Sequence, residues 1–172
     1  MKIFTGIKNI IDLVLKWVCI ALLAVMTVLV VYQVFARQVL RAPAIVTEIA
    51  SQYMFVWLVF LGGSYLFGLR EHIAVTILKD KYPPIINMVV EILIHLALLV
   101  FSATVLINGG TLYTINQMGT LDAALQIPFG IISSVLPISG YLIMFYSVYN
   151  MLLAIKEYRD GNGQENKAGT TL

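Results

Sequence analysis

Four long runs without a charged side chain constrain the fold of this 172-residue chain more than any other feature. They cover residues 17–36, 49–69, 92–121 and 123–155. Each run is long enough to supply the ~20 apolar residues that cross the ~30 Å hydrocarbon layer of a bilayer as a helix. Only 12% of all residues are charged, about half the fraction that is typical of soluble domains. The sequence therefore predicts an all-α integral membrane protein with four transmembrane helices.

The last two runs are longer than a single span, so they must include connecting segments or long, tilted helices. We place the spans near residues 17–36, 49–69, 84–112 and 130–155. Pro83 and Pro84 are expected to begin the third span, because proline suits the first turn of a helix. Pro137 lies inside the fourth span and is expected to kink it.

Polar segments flank this four-helix membrane domain, which covers residues 17–155. Residues 1–16 carry an apolar helical stripe, while Lys8, Asp12 and Lys16 repeat every four residues on the other face. This pattern predicts an amphipathic helix that lies in the membrane interface before the first span. Residues 156–172 are polar and rich in glycine, and we expect them to form a flexible tail.

Lysine and arginine residues indicate the orientation, since they accumulate on the cytoplasmic side of a membrane protein. With four spans, the N-terminal segment, the 70–91 connection and the tail share one side. Each holds 3 basic residues, which makes 9, against 2 in the loop between the first two spans. Both termini are therefore predicted to be cytoplasmic.

Composition excludes several classes of function. The net charge of +2 is too small for a nucleic-acid-binding surface, and the charges lie at the ends of the apolar runs. The single cysteine, Cys19, lies in an apolar run, cannot pair within the chain and is interpreted as an inert buried thiol. We expect contact with membrane lipids and predict no cofactor, no metal site and no enzymatic activity.

Ionisable side chains are scarce inside the predicted spans. Glu91 and His95 lie one turn apart in the third span, near its cytoplasmic end. Our interpretation is a set of ion pairs at the cytoplasmic interface that involves Arg70, Glu71, His72 and Glu91. Two other hypotheses stay open: a small proton-coupled exporter that uses Glu91 as its membrane carboxylate, and a haem-binding anchor that uses His72 and His95.

The second span combines small residues with an aromatic one. Gly62, Gly63, Ser64 and Gly68 would let another helix approach closely, and such packing drives helix association in lipid. Trp57 lies near the middle of the span, which favours a packing role over a place in the interfacial aromatic belt.

Charges mark both ends of the second span. If the N-terminus is cytoplasmic, this helix runs from outside to inside, with Glu48 in its first turn and Arg70 in its last. Both signs complement the helix dipole, at ~0.3–1 kcal/mol each. Thr47 is the predicted N-cap.

A series of short motifs runs through the first two spans: an arginine after the first span, a proline, a glutamate that opens the second span, a Phe-Val-Trp run, a Leu-Gly-Gly run, and a basic residue before His-Ile. These are Arg37, Pro43, Glu48, Phe55 to Trp57, Leu61 to Gly63, and Arg70 with His72 and Ile73. In this pattern residues 15–155 resemble the small, DctQ-type membrane subunit of tripartite ATP-independent periplasmic (TRAP) transporters. Pro128 and Pro137 also match, whereas Thr76 stands where many members have an acidic residue.

The resemblance implies a non-catalytic scaffold subunit in a bacterial inner membrane. A large M-type membrane subunit would carry the sodium-coupled site for an organic acid, such as sialic acid or a C4-dicarboxylate, which a periplasmic binding protein delivers. The small residues of the second span and Trp57 would contact the large subunit. Arg37, Arg41 and Glu48 would help to dock the binding protein.

Overall fold

The computed structural model describes residues 2–41, 44–69 and 84–168. This part of the chain is helical, apart from short connections and an isolated β-bridge between Leu121 and Pro128. It contains four stretches that are long and apolar enough to cross a membrane: Phe4–Gln38, Ile45–Gly68, Met88–Asn116 and Phe129–Lys156. The all-α fold with four membrane helices is thus confirmed.

Helix α1 covers Lys2–Gln38 without interruption and has 37 residues. At 1.5 Å per residue it is about 55 Å long. The sequence predicted a separate interfacial helix over residues 1–16, but the structure joins that segment to the first span. No glycine or proline occurs between residues 7 and 38, so nothing in the sequence interrupts the backbone hydrogen-bond ladder.

Helix α2 covers Ile45–Gly68 and packs along α1. Glu48 lies in its first turn, as the sequence predicted. Thr47, the predicted N-cap, lies inside the helix instead, because the helix begins two residues before it and Ala44 occupies the N-cap position. The Thr47 hydroxyl donates a hydrogen bond to the Ala44 carbonyl at 2.9 Å.

The third span consists of three consecutive helical segments. Helix α3 covers Pro84–Phe101, a π-helix covers Ser102–Gly109, and helix α4 covers Gly110–Asn116. The helix begins at Pro84 as predicted and continues four residues past the predicted end. A π-helix is wider than an α-helix and is rare, especially at this length.

The fourth span is interrupted near its beginning. Helix α5 covers Phe129–Ser133, and helix α6 covers Val135–Ala168. Pro137 accounts for the interruption, because it has no N–H to donate to the carbonyl four residues earlier, in Ser133. Helix α6 continues to Ala168, where the sequence predicted a flexible tail from residue 156. Lys156 and Arg159 favour helix, but Gly161 and Gly163 disfavour it, so intrinsic propensity does not explain the extension.

The helices pack in the order α1, α2, α6, α3, with the π-helix also against α6. Large apolar side chains mostly face outwards, as expected in lipid, and the fully buried positions include Tyr146 and Val135 but are mainly small and polar. The π-helix and α4 approach α6 closely. A β-carbon at Gly110 would lie 2.9 Å from Cβ of Leu136, and one at Gly140 would lie 2.8 Å from Cγ1 of Ile107.

Candidate functional site

Two of the small residues of α2 face the last span of the same chain. Ser64 is fully buried, and its hydroxyl donates a hydrogen bond to the Phe60 carbonyl at 2.8 Å. The same oxygen lies 3.5 Å from the Ser139 carbonyl on α6. A β-carbon at Gly68 would lie 2.5–2.8 Å from the ring of Tyr146, which is also on α6. These two residues therefore serve a contact within the subunit.

The remaining two glycines face different surroundings. A β-carbon at Gly62 would lie 3.9 Å from Sγ of Cys19 on α1, an ordinary van der Waals distance. No described atom lies within 4 Å of a β-carbon at Gly63. Around Gly63 the helix presents an exposed apolar face formed by Phe55, Val56, Val59 and Leu66. Of the predicted packing set, Gly63 is thus the member that opens onto the outer surface of the described structure.

Trp57 and Tyr53 lie one turn apart on α2 and hold the segment that leads into the fourth span. Trp57 donates its indole N–H to the Ile132 carbonyl on α5 at 3.1 Å. Tyr53 packs edge-on against Phe129, with 6.1 Å between the ring centroids. Trp57, which was predicted to contact a partner, is thus engaged inside the chain.

Asp122 organises the loop between α4 and α5. It is only 6% exposed, and Tyr53 donates its hydroxyl to Oδ2 at 2.5 Å. Oδ1 accepts the backbone N–H groups of Ala124 at 2.9 Å and Leu125 at 2.8 Å. The hydrogen bond from Tyr53, followed by those from the backbone, holds the pKa of Asp122 below its usual value.

The sequence did not reveal what the Asp122 carboxylate binds. The available signal was an aspartate just before two small residues, a position from which it can accept hydrogen bonds from the backbone two and three residues on. The bond to Tyr53 joins residues that are 69 positions apart, which no local pattern shows.

The three predicted docking residues lie at the same end of α1 and α2. Arg37 is in the last turn of α1 and Glu48 in the first turn of α2, and both are exposed. Arg41, also exposed, lies between the two helices with a φ of 50°. No salt bridge involves any of the three within the described residues. Beside them is an open groove of about 390 Å³ with a mainly apolar lining, which includes Tyr32.

Glu91 and His95 are buried on α3, one turn apart, at 5% and 3% exposure. The predicted ion-pair partners Arg70, Glu71 and His72 lie outside the described residues. The described ranges contain no group of three histidine, cysteine or acidic side chains that could hold a metal ion.

Another polar network joins α1 to α6, away from the loop that holds Asp122. Asp12 accepts a hydrogen bond from the Lys8 ammonium through Oδ2 and one from the Tyr146 hydroxyl through Oδ1, each at 2.6 Å. Lys8 also lies 5.9 Å from the ring centroid of Tyr149. Leu15, one turn beyond Asp12, is buried in the core with Tyr146. The start of α1 is thus fixed against the last span.

These features define a class: a small four-span membrane protein whose described helices are joined to one another by several side-chain hydrogen bonds. The sequence model of the family described as "Tripartite ATP-independent periplasmic transporters, DctQ component" matches residues 26–157. The chain belongs to this family, whose members are transporter components and not enzymes.

A curated relative agrees with this assignment. Over 95 residues the chain is 32% identical to a Haemophilus influenzae protein named "Putative TRAP transporter small permease protein". The aligned region covers 55% of this chain and 59% of the relative. The chain therefore spans about three-fifths of the length of the relative that it matches.

Proposed function

We propose that the chain is the non-catalytic small subunit of a TRAP transporter and that it braces a large M-type membrane subunit. In this proposal the large subunit carries the sodium-coupled transport site for an organic acid, such as sialic acid or a C4-dicarboxylate. The assembly lies in the bacterial inner membrane, with both termini of the small subunit in the cytoplasm. The family match carries this proposal.

The distribution of polar groups supports a structural role. Ser64, Trp57 and Tyr53 make hydrogen bonds within the chain. A bracing subunit needs instead an outer surface that fits another helix. The exposed face of α2 offers one, because Gly63 forms a notch among the large side chains of that face.

The bracing role is tested by filling this notch. Gly63→Leu should reduce the amount of large subunit that co-purifies with the chain in mild detergent, because the added side chain prevents close approach of the partner helix. Ala97→Leu is the matched control, since Ala97 is also small, exposed and inside a span. Intact complex with Gly63→Leu would contradict the proposed contact.

We propose further that Arg37, Arg41 and Glu48 form part of the docking surface for the periplasmic binding protein. All three are exposed, and none makes a salt bridge within the described residues. Charges of this kind increase the rate of encounter with a partner of complementary charge. The neighbouring apolar groove adds surface that a docked protein would cover.

Docking is tested by combining Arg37→Glu with Arg41→Glu in transporter reconstituted into liposomes. The concentration of binding protein that gives half-maximal uptake should rise, and its dependence on salt should weaken. Lys16→Glu is the control, because Lys16 is an exposed basic residue more than five turns earlier on the same helix. An unchanged requirement for binding protein would refute the docking role and leave the bracing role untouched.

A further inference from the structure

An apolar groove lies between the start of α1 and the end of the last span. It has a volume of about 90 Å³ and is lined by Phe4, Thr5, Tyr149, Leu152, Leu153 and Lys156. A second, more open groove of about 270 Å³ continues from it along α6. The two share Leu152 and Lys156, and the second adds Ile155 and Arg159. Together they form one continuous surface, which we call the α1–α6 groove.

The network around Asp12 determines the spacing of the two helices at this groove. Asp12 is bonded to Tyr146 on α6, and Lys8 lies between Asp12 and the ring of Tyr149. Lys8 and Phe4 are one turn apart, so Phe4 lies just beyond this connection. The hydrogen bond between the buried Tyr146 and Asp12 thus fixes the distance between α1 and α6 next to the groove.

Positive charge is concentrated along one side of the groove. Lys156 and Arg159 are exposed and three residues apart, so they lie on the same face of α6. The ammonium of Lys8, the other basic group beside the groove, is paired with Asp12 at 2.6 Å. Lys156 and Arg159 therefore supply the positive charge available to a ligand.

The groove lies at the depth of a membrane interface. The last span ends at Lys156, so Leu152 and Leu153 belong to its final apolar turn and Arg159 lies one turn beyond. A ligand that fits must be apolar at one end and anionic at the other. A phospholipid in the adjacent leaflet has this arrangement, and basic pockets between membrane helices bind anionic headgroups.

We propose that the α1–α6 groove is a binding site for an anionic phospholipid. The phosphate of the headgroup pairs with Lys156 and Arg159. One acyl chain lies along Phe4, Leu152 and Leu153. The lipid thereby fills the space between α1 and α6 and stabilises the N-terminal turns of α1 against the last span.

The test is native mass spectrometry of the full chain in detergent, with phosphatidylglycerol and phosphatidylcholine of identical acyl chains. Wild-type protein should retain phosphatidylglycerol in preference to phosphatidylcholine. Lys156→Gln and Arg159→Gln should each weaken the binding of phosphatidylglycerol roughly fivefold, which corresponds to ~1 kcal/mol per removed charge. Lys16→Gln is the control for loss of one positive charge, since Lys16 is exposed, on α1 and outside the groove.

Two further measurements separate a lipid site from diffuse charge attraction. Leu152→Asn should weaken phosphatidylglycerol binding without removing a charge, because Leu152 lines both grooves and is 44% exposed. Excess glycerol 3-phosphate should fail to displace the lipid, since it lacks acyl chains. Equal retention of both lipids would overturn the proposal, as would wild-type binding by Lys156→Gln. It would also be overturned if Lys16→Gln lost as much affinity for phosphatidylglycerol as Lys156→Gln, if Leu152→Asn had no effect, or if glycerol 3-phosphate displaced the lipid.

Discussion

The contact between Gly68 and Tyr146 predicts a large effect for the smallest possible substitution. In Gly68→Ala the new β-carbon would lie 2.5, 2.8 and 2.7 Å from Cε1, Cδ1 and Cζ of the tyrosine ring. The ring has little freedom to move, because Tyr146 is fully buried and its hydroxyl is bonded to Asp12 on α1. Either α2 and α6 must move apart, or the ring must shift and break its hydrogen bond to Asp12.

The expected cost is that of overpacking a filled site, ~1–3 kcal/mol of the free energy of unfolding. Losing the bond to Asp12 would add about 1 kcal/mol. Gly63→Ala is the matched control on the same helix, since no described atom lies within 4 Å of its β-carbon. Replacing a glycine in a helix interior with alanine stabilises the helix by ~0.5–1 kcal/mol, so the two variants should shift stability in opposite directions.

The measurement is unfolding in mixed micelles with increasing SDS, followed by tryptophan fluorescence, because Trp57 reports the packing of α2 against α5. Gly68→Ala should unfold at a lower SDS fraction than wild type and Gly63→Ala at an equal or higher one. Equal or greater stability of Gly68→Ala would refute the reasoning, because it would mean that α2 and α6 do not approach closely at this point.

Three further outcomes follow from the polar contacts. Hydrogen bonds lower the pKa of Asp122 below its usual 3.8. The stability that the Asp122 carboxylate contributes to its loop is therefore fully present above pH 3.8 and is lost as the pH falls through the lowered pKa. Hydrogen exchange of residues 120–128 should show this loss, and Asp122→Asn should abolish the pH dependence. Trp57→Phe removes the bond to the Ile132 carbonyl and should cost about 1 kcal/mol in SDS unfolding followed by circular dichroism, since the substitution removes the fluorescent reporter; unchanged stability would show that the bond contributes nothing. Gln33→Leu removes the bonds that join α1 to α2 and should cost roughly 0.6–1.7 kcal/mol, and a gain in stability would contradict their role.

The number and rough position of the membrane helices could be predicted from the sequence, because the absence of charge over about 20 residues is a strong physical requirement. The details at helix ends were harder to predict. Residues 1–16 have the amphipathic pattern of an interfacial helix, yet the same pattern fits a helix that continues into the membrane. The break before Pro137 follows from its missing N–H, whereas the π-helix has no comparable signal in the sequence.

The packing residues of α2 were identifiable as a group but not as individuals. Neighbouring helical positions point about 100° apart, so Gly62, Gly63 and Ser64 face three different directions. Which direction holds α1, which holds α6 and which is open depends on the order of helices in the bundle. That order is set by contacts between distant residues, such as the bond from Asn150 to the Phe67 carbonyl.

The unequal lengths of the first two helices determine how the subunit responds to bilayer thickness. Even at a steep tilt of 40°, a ~30 Å hydrocarbon layer accommodates roughly 26 residues of a helix. Helix α1 has 37 residues, so a thicker hydrocarbon layer can cover additional turns of the same helix. Helix α2 has 24 residues, or about 36 Å, and carries Glu48 in its first turn. A thicker bilayer should therefore exceed the apolar length of α2 before that of α1, and α2 is the helix whose open face we assign to the partner.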